Sequence, residues 1–326
     1  MTNQPTIENV SLGKTDIQIS PLGIGCWAWG DRIVWGYGRG GFSDADLEAA
    51  FHAALDAGIN FFDTAELYGL PNHRSEKLLG QFMQGTKQTV VVATKFFPLP
   101  WRVTRGQLVG ALRASLRRLR LDRVDLYQIH WPPTLMSVES AASALADAVD
   151  AGLTRAVGVS NYNVDRMRRT HEVLAKRGIP LASNQVEYSL FMRDPERNGL
   201  LRACQELGIT LIAYSPLTMG MATGKYTPDN PPPGVRKRMY NPGFLAGIQP
   251  VIARMREIGA AHGDKTPAQV ALNWVMCKGA VPIPGAKNTK QAQDNIGALG
   301  WKLTDAEVAE LDVLEDRLHS ASPAAK

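Results

Sequence analysis

Cysteine is scarce. The 326 residues hold three, Cys26, Cys204 and Cys277, far apart and odd in number. That excludes a disulfide-stapled scaffold and a zinc site built on paired thiols, and it suits a reducing cytoplasm. No apolar run approaches the roughly 18 residues needed to cross a bilayer. The opening segment, MTNQPTIENV, has no basic stretch leading into an apolar one, so no secretory signal is expected. Histidine is sparse as well. None of the six is spaced H-x-H or H-x-x-x-H, which removes the ligand pattern of a metal-dependent barrel hydrolase, and no metal is expected. The net charge of +5 is not gathered into a basic tail. Its densest stretch, LRASLRRLRLDR, sets Arg113, Arg117 and Arg120 at helical spacing. That reads as a solvated helix face rather than a nucleic-acid surface. Neither nucleic acid nor a membrane is an expected partner, and nothing in the pattern specifies an oligomer. A mildly basic surface favours anionic small molecules.

What is present is a repeating alternation. Val- and Ile-rich runs precede helical ones: SPLGIG, INFFD, TVVVATK, VDLYQIH, TRAVGVS, LASNQVEY, ITLIAYS and AVPIPG. These runs lack a polar face, as strands of a parallel sheet covered on both sides do. Eight such units without a linker between them predict one (β/α)8 TIM barrel, a single domain spanning 1–326. VSLGKTDIQIS, alternating around Gly13 and Lys14, predicts an N-terminal β-hairpin. Thr304 three residues before Glu307 starts a C-terminal extra helix with a capping box, and residues 319–326 are expected to fray. One long irregular stretch, TMGMATGKYTPDNPPPGVRKRMYNPGF, has the length of a functional loop. GIGCWA, Gly23 to Ala28, matches the dinucleotide fingerprint G-x-G-x-x-A, but no helix opens on it, so a Rossmann domain is not expected.

Three of the strands end in ionisable residues: Asp63, Lys95 and His130, each about one strand-helix unit from the next. In a barrel of this kind such groups converge at the C-terminal mouth. Tyr68 follows Asp63 on the next loop. A phenol is a poor acid near neutral pH, and a neighbouring ammonium lowers its pKa. A carboxylate would keep that ammonium charged, and an imidazole could orient a carbonyl oxygen. The four together form a proton-donating set for a developing alkoxide. The plainer alternative is an Asp63–Lys95 structural pair beside a core histidine.

INFFDTAELYG, VVVATK, LYQIH, GVSNY, NQVEYSL, AYSPL and PIPGAKNTKQAQDNIGAL occur in this order, and over about Ser11 to Leu314 the chain resembles the aldo-keto reductase superfamily. The resemblance implies a (β/α)8 barrel that reduces carbonyls with a nicotinamide cofactor. It makes Tyr68 the proton donor, Lys95 its partner, Asp63 the partner of Lys95, and His130 the group that orients the carbonyl. It assigns the nicotinamide carboxamide to Ser160, Asn161 and Gln185, side chains whose alternative role is strand-end capping. Tyr214 would stack on the ring. Gly25, Cys26 and Trp27 fall where the family lines the mouth. Ser215, Pro216, Leu217 and Gly220 fall where it approaches the pyrophosphate, and Lys225 and Arg236 sit on the segment that folds over it. Gly285, Lys287 and Gln291 mark the adenosine 2′-phosphate end, where a helix N-terminus favours an anion. Asp294 and Asn295 lie beside the adenine. Gln291 stands where many members have arginine, a departure that weakens a strict preference for NADP over NAD; Lys287 compensates as the point-charge phosphate contact, so NADPH is the expected cofactor and NADH a weaker alternative.

The substrate is expected to be a small carbonyl compound. Trp27, Trp29, Trp35, Trp101 and Trp131 fall in strand-to-helix connections, which suits a flat aromatic substrate held by Trp27, Tyr68, His130 and Trp131. CWAWG, GKYTPDNPPPG and PAQVALNW are most similar to the bacterial and plant group that includes pyridoxal reductases. A second reading within the same fold is a cofactor-binding regulatory subunit resembling the potassium-channel β subunits, with little turnover.

Overall fold

The computed structural model describes residues 7–39 and 41–321. Its first element is the expected hairpin, β1 (Val10–Ser11) paired antiparallel with β2 (Gln18–Ile19). Leu12, Ile17 and Ile19 project from it into a cluster with Phe61, Ala93 and Ile212 from the interior of the sheet that follows. The hairpin therefore plugs one end of a barrel. Gly13 turns it at φ 58°, and a Cβ there would lie 2.5 Å from the Ala182 carbonyl oxygen, so only glycine fits.

Eight parallel strands follow: β3 (Ile24–Gly25), β4 (Phe61–Asp63), β5 (Val91–Phe96), β6 (Val124–Ile129), β7 (Thr154–Ser160), β8 (Leu181–Glu187), β9 (Thr210–Tyr214) and β10 (Val281–Pro282). Each of the eight expected runs contributes one. They pair in sequence order, and the sheet closes on itself: the Gly23 and Gly25 amides donate to the Pro282 and Pro284 carbonyls, each at 3.0 Å. A Cβ on Gly25 would stand 2.7 Å from the Ile283 carbonyl oxygen, so glycine is what lets the first and last staves meet. Along β5 every residue is buried, Val91 and Ala93 inside the barrel and Val92 and Phe96 against the helices. This two-faced burial is why the strands read as unbroken apolar runs.

Helices connect the strands, several with side-chain caps such as the Thr104–Gln107 and Thr266–Gln269 boxes. The stretch between β9 and β10 is less irregular than its sequence suggests. Short helices at Thr218–Thr223, Arg236–Met239 and Pro242–Gly247 precede the longer Gln249–Ala261 and Pro267–Cys277. The final helix, Asp305–Ala321, starts at the Thr304–Glu307 box. Trp274 Nε1 and Lys278 Nζ donate to Asp312, and Arg193 reaches Asp312, Glu315 and Asp316, so the helix is bolted to the barrel. It runs to Ala321; the rest of the tail expected to fray, 322–326, lies outside the described residues.

Candidate active site

A cavity of about 950 Å³ opens at the C-terminal ends of the strands. Its floor is set by the ends of β4, β5 and β6. Lys95 is fully buried, and its Nζ lies 2.5 Å from Asp63 Oδ2 and 2.9 Å from the Thr64 carbonyl oxygen. Asp63 Oδ1 accepts from Gln185 Nε2 at 2.8 Å and Gln128 Nε2 at 3.3 Å. The buried carboxylate thus has three partners, as such a charge requires.

Tyr68 arches over this pair, with the Lys95 ammonium 5.1 Å from its ring centre. The loop that carries it is anchored by Glu66. That carboxylate accepts from the Phe97 amide at 2.6 Å and from both Arg102 terminal nitrogens, joining the loop to the exit of β5. Glu66 was not singled out from the sequence, because its partners come from the following strand-helix connection. The phenol is pushed well above its usual range, by burial first and then by the Asp63 and Cys26 charges. This corrects the expectation that Lys95 lowers it: in the free protein the ammonium is committed to Asp63, and desolvation dominates. A phenol held protonated remains a proton donor.

The His130 ring stands edge-on to Tyr68 at 5.6 Å and to Phe97 at 5.8 Å. Burial, and then the Lys95 charge, lower its pKa to about 3. It is therefore neutral near pH 7, with one ring N–H to donate. Its buried Nδ1 has no partner among the described residues.

Every residue assigned from the sequence to catalysis, the cofactor or the substrate lines the cavity except Cys26, Lys95 and Ser160. The Cys26 thiol is fully buried and turned back toward the Ile24 carbonyl at 3.8 Å. Ser160 Oγ donates to the Gln185 carbonyl at 2.7 Å and accepts from Asn161 Nδ2 at 3.1 Å. Asn161, at φ 61°, also donates to the His130 carbonyl and accepts from the Tyr214 hydroxyl, both at 3.0 Å. These polar side chains therefore form one preorganised network at the ends of β7, β8 and β9. Asn288 caps the helix that follows by accepting from the Gln291 amide, and Gln291 folds back over the preceding turn, its Oε1 accepting from the Lys287 amide, both at 3.0 Å. Asp294 accepts from Thr266 and Gln269.

Of the five loop tryptophans, Trp27, Trp35 and Trp131 line the cavity. Trp29 is core, its Nε1 donating to the Ala286 carbonyl at 3.0 Å, and Trp101 is exposed away from the cavity. Sequence reasoning missed Asp31, Arg32, Ile33 and Leu70, which also line it. Only their position in strand-to-helix connections pointed there.

At the far end Lys225, Arg236, Lys287 and Lys290 gather. Among the described residues, none of Lys225, Arg236 and Lys287 forms an ion pair. Burial, then the Arg236 and Lys225 charges, pull Lys287 below the usual lysine range. Ser215 and Met219 on one wall, and Thr218 buried behind it, have positive φ, a local strain of the kind concentrated at ligand sites. Uncompensated cations, strained backbone and orphaned donors at Trp35 Nε1 and Arg236 Nε fit an anionic ligand.

Residues 21–316 match the model of the aldo/keto reductase family. The chain belongs to the aldo/keto reductase family. It is 44% identical over 316 residues to the chloroplastic pyridoxal reductase of Arabidopsis thaliana, covering 94% of this chain and 85% of that one. It is 38% identical to an uncharacterized oxidoreductase of Mycobacterium tuberculosis, covering 94% and 91%. Among solved structures, glycerol dehydrogenase from Gluconobacter oxydans superposes with a TM-score of 0.83 at 29% identity, covering 99% and 98%. A thermostable aldo-keto reductase bound to the inhibitor epalrestat gives 0.75 at 31%, covering 94% and 100%. This aldo-keto reductase is accordingly an oxidoreductase acting on carbonyls, in a family that uses nicotinamide cofactors. No helix among the described residues is long and apolar enough to cross a membrane.

Proposed function

We propose that the chain is an NADP(H)-dependent carbonyl reductase in which Tyr68 donates the proton and the substrates are aromatic aldehydes, pyridoxal among them. The observation that carries this reading is the buried Lys95–Asp63 pair beneath a protonated Tyr68 and a neutral His130, on the floor of a cavity whose far end is lined by unpaired cations. When bound there, the nicotinamide supplies the hydride. Tyr68 Oη–H gives its proton to the carbonyl oxygen as negative charge develops, and the N–H of neutral His130 holds that oxygen. The Lys95 ammonium, fixed by Asp63, favours the phenolate once the proton has left. The Asn161–Ser160–Gln185 network is the carboxamide seat, and Tyr214, tied to Asn161, is the stacking ring. Lys287 is the 2′-phosphate contact, and Arg236 and Lys225 serve the pyrophosphate. The three free thiols suit a reducing compartment such as the cytoplasm. The pyridoxal assignment is supported by the identity to the plant pyridoxal reductase.

The test is Tyr68→Phe, which removes the hydroxyl and leaves the ring. Multiple-turnover reduction of an aromatic aldehyde should fall by about 10² to 10⁴ while NADPH binds as before. Turnover close to wild type would rule Tyr68 out as the acid. Stoichiometric cofactor binding without multiple turnover in the unmutated protein would favour a regulatory binder instead.

A further inference from the structure

Trp35 lies on the loop that follows β3, between Asp31 and Phe42, and was read from the sequence only as one of several aromatic residues near the substrate. The structure gives it a different set of neighbours. Its ring lies 5.3 Å from the Arg236 guanidinium carbon and 5.3 Å from the Lys287 ammonium, while its edge meets Trp27 at 5.6 Å. Trp35 lines the cavity, and its buried Nε1 has no hydrogen-bond partner among the described residues. Arg236 Nε is also buried and unpartnered, although Arg236 Nη1 donates to the Met219 carbonyl at 3.1 Å. Native structures rarely leave an indole N–H unsatisfied in this way. Beside two cations that have no counter-charge among the described residues, the acceptor that satisfies it best is an anion.

The loop is built to hold this position. Asp31 Oδ1 accepts from the Val34 and Trp35 amides at 2.7 and 3.0 Å, fixing a turn just before the indole. Further on, Arg74 donates to the Tyr37 hydroxyl and pairs with Asp44, tying the loop's far end to the helix after the Tyr68 loop. Phe42 supplies a second ring 5.3 Å from Lys287. The crowding of Lys287 by like charges, which pulls its pKa down, is relieved by the same anion.

We infer that Trp35 is a phosphate-contacting residue of the dinucleotide site: its Nε1–H donates to a cofactor phosphate, and its ring aligns Lys287 and Arg236 beside that group. The loop after β3 then forms a strap across the phosphate end, opposite the long segment after β9. This rests on the dinucleotide reading proposed above.

Titration calorimetry with NADPH, NADH and 2′,5′-ADP on wild type, Trp35→Phe and Trp35→Ala tests it, with thermal melts as the folding control. Trp35→Phe keeps a ring for the cations and loses only the donor. It should weaken NADPH by about tenfold, the scale of one hydrogen bond to a charged group. Trp35→Ala should weaken it further. A loss for NADPH and 2′,5′-ADP that NADH does not share puts the donor on the 2′-phosphate. An equal loss for NADPH and NADH puts it on the pyrophosphate. If wild type binds NADPH and folded Trp35→Phe binds it equally well, the inference is wrong. If wild type binds neither dinucleotide, the reading beneath it falls too.

Discussion

Lys95 and Asp63 are each almost wholly enclosed, so their stability role and their chemical role can be separated. Lys95→Met leaves the carboxylate without its main counter-charge, and removing one partner of a buried pair costs about 3–5 kcal/mol. Urea denaturation should show that loss. Asp63→Asn combined with Lys95→Met removes both charges and should recover much of it, while carbonyl reduction stays impaired in both proteins. Equal instability in the single and double variants would mean that packing, not the ion pair, sets the cost. His130 gives a second signature. Its pKa is about 3 when folded, against 6.5 ordinarily, so the unfolded chain binds the proton more readily. Its contribution to stability is complete above about pH 6.5 and is lost as the pH falls toward 3, with a slope of at most about 1.4 kcal/mol per pH unit. In His130→Gln that part of the acid slope should vanish, as read from the midpoint of urea denaturation against pH. An unchanged slope would place the responsible proton elsewhere. Between pH 5 and 8 the wild-type rate should show no His130 limb.

At the scale of elements, the sequence was most readable where chemistry coincides with a strand end. Asp63, Lys95 and His130 each close an apolar run, so both their convergence and the staves that carry them follow from the period of the strand-helix unit. Glu66 was invisible because its partners, Phe97 and Arg102, come from the next connection. Gln291, read as a cofactor contact in the place of an arginine, lines the cavity, and its carboxamide also closes the turn at Lys287, local geometry that composition does not encode. The short helices within the Pro-rich stretch after β9 have too few residues for a period to be seen. The turn that Gln291 closes leaves Lys287 free of any side-chain acceptor among the described residues, facing the cavity and repelled by Arg236 and Lys225. Lys287→Glu should therefore weaken NADPH far more than NADH, because only the 2′-phosphate distinguishes them. Equal losses in calorimetric titrations would show that Lys287 acts on a group common to both.

The molecule as a whole decides what can enter. A closed barrel plugged at one end by the β1–β2 hairpin leaves the opposite mouth as the way in, and the mouth's lining is uneven. On the floor Asp63 is already paired with Lys95 and Gln185, and Asn161 with Tyr214, which leaves the His130 ring, whose Nδ1 has no partner among the described residues. Above them stand Trp27 and Trp131, with Leu70 and Ile33 at the exposed rim. A flat ring can lie against that wall while its aldehyde reaches Tyr68 and His130. An open-chain sugar brings hydroxyls that the wall does not satisfy, and each buried unpaired polar group costs about 1–3 kcal/mol. Aromatic aldehydes should accordingly be reduced faster than aldoses, with pyridoxal a specific candidate. Measuring kcat/KM with NADPH for pyridoxal, a substituted benzaldehyde and xylose compares the three directly. If xylose is best, the aromatic-wall argument is wrong. If benzaldehyde is reduced and pyridoxal is not, the wall stands and the likeness to pyridoxal reductase does not extend to its substrate. Trp131→Ala, at the exposed lip, should then raise KM for the aromatic substrates and leave that for xylose nearly unchanged.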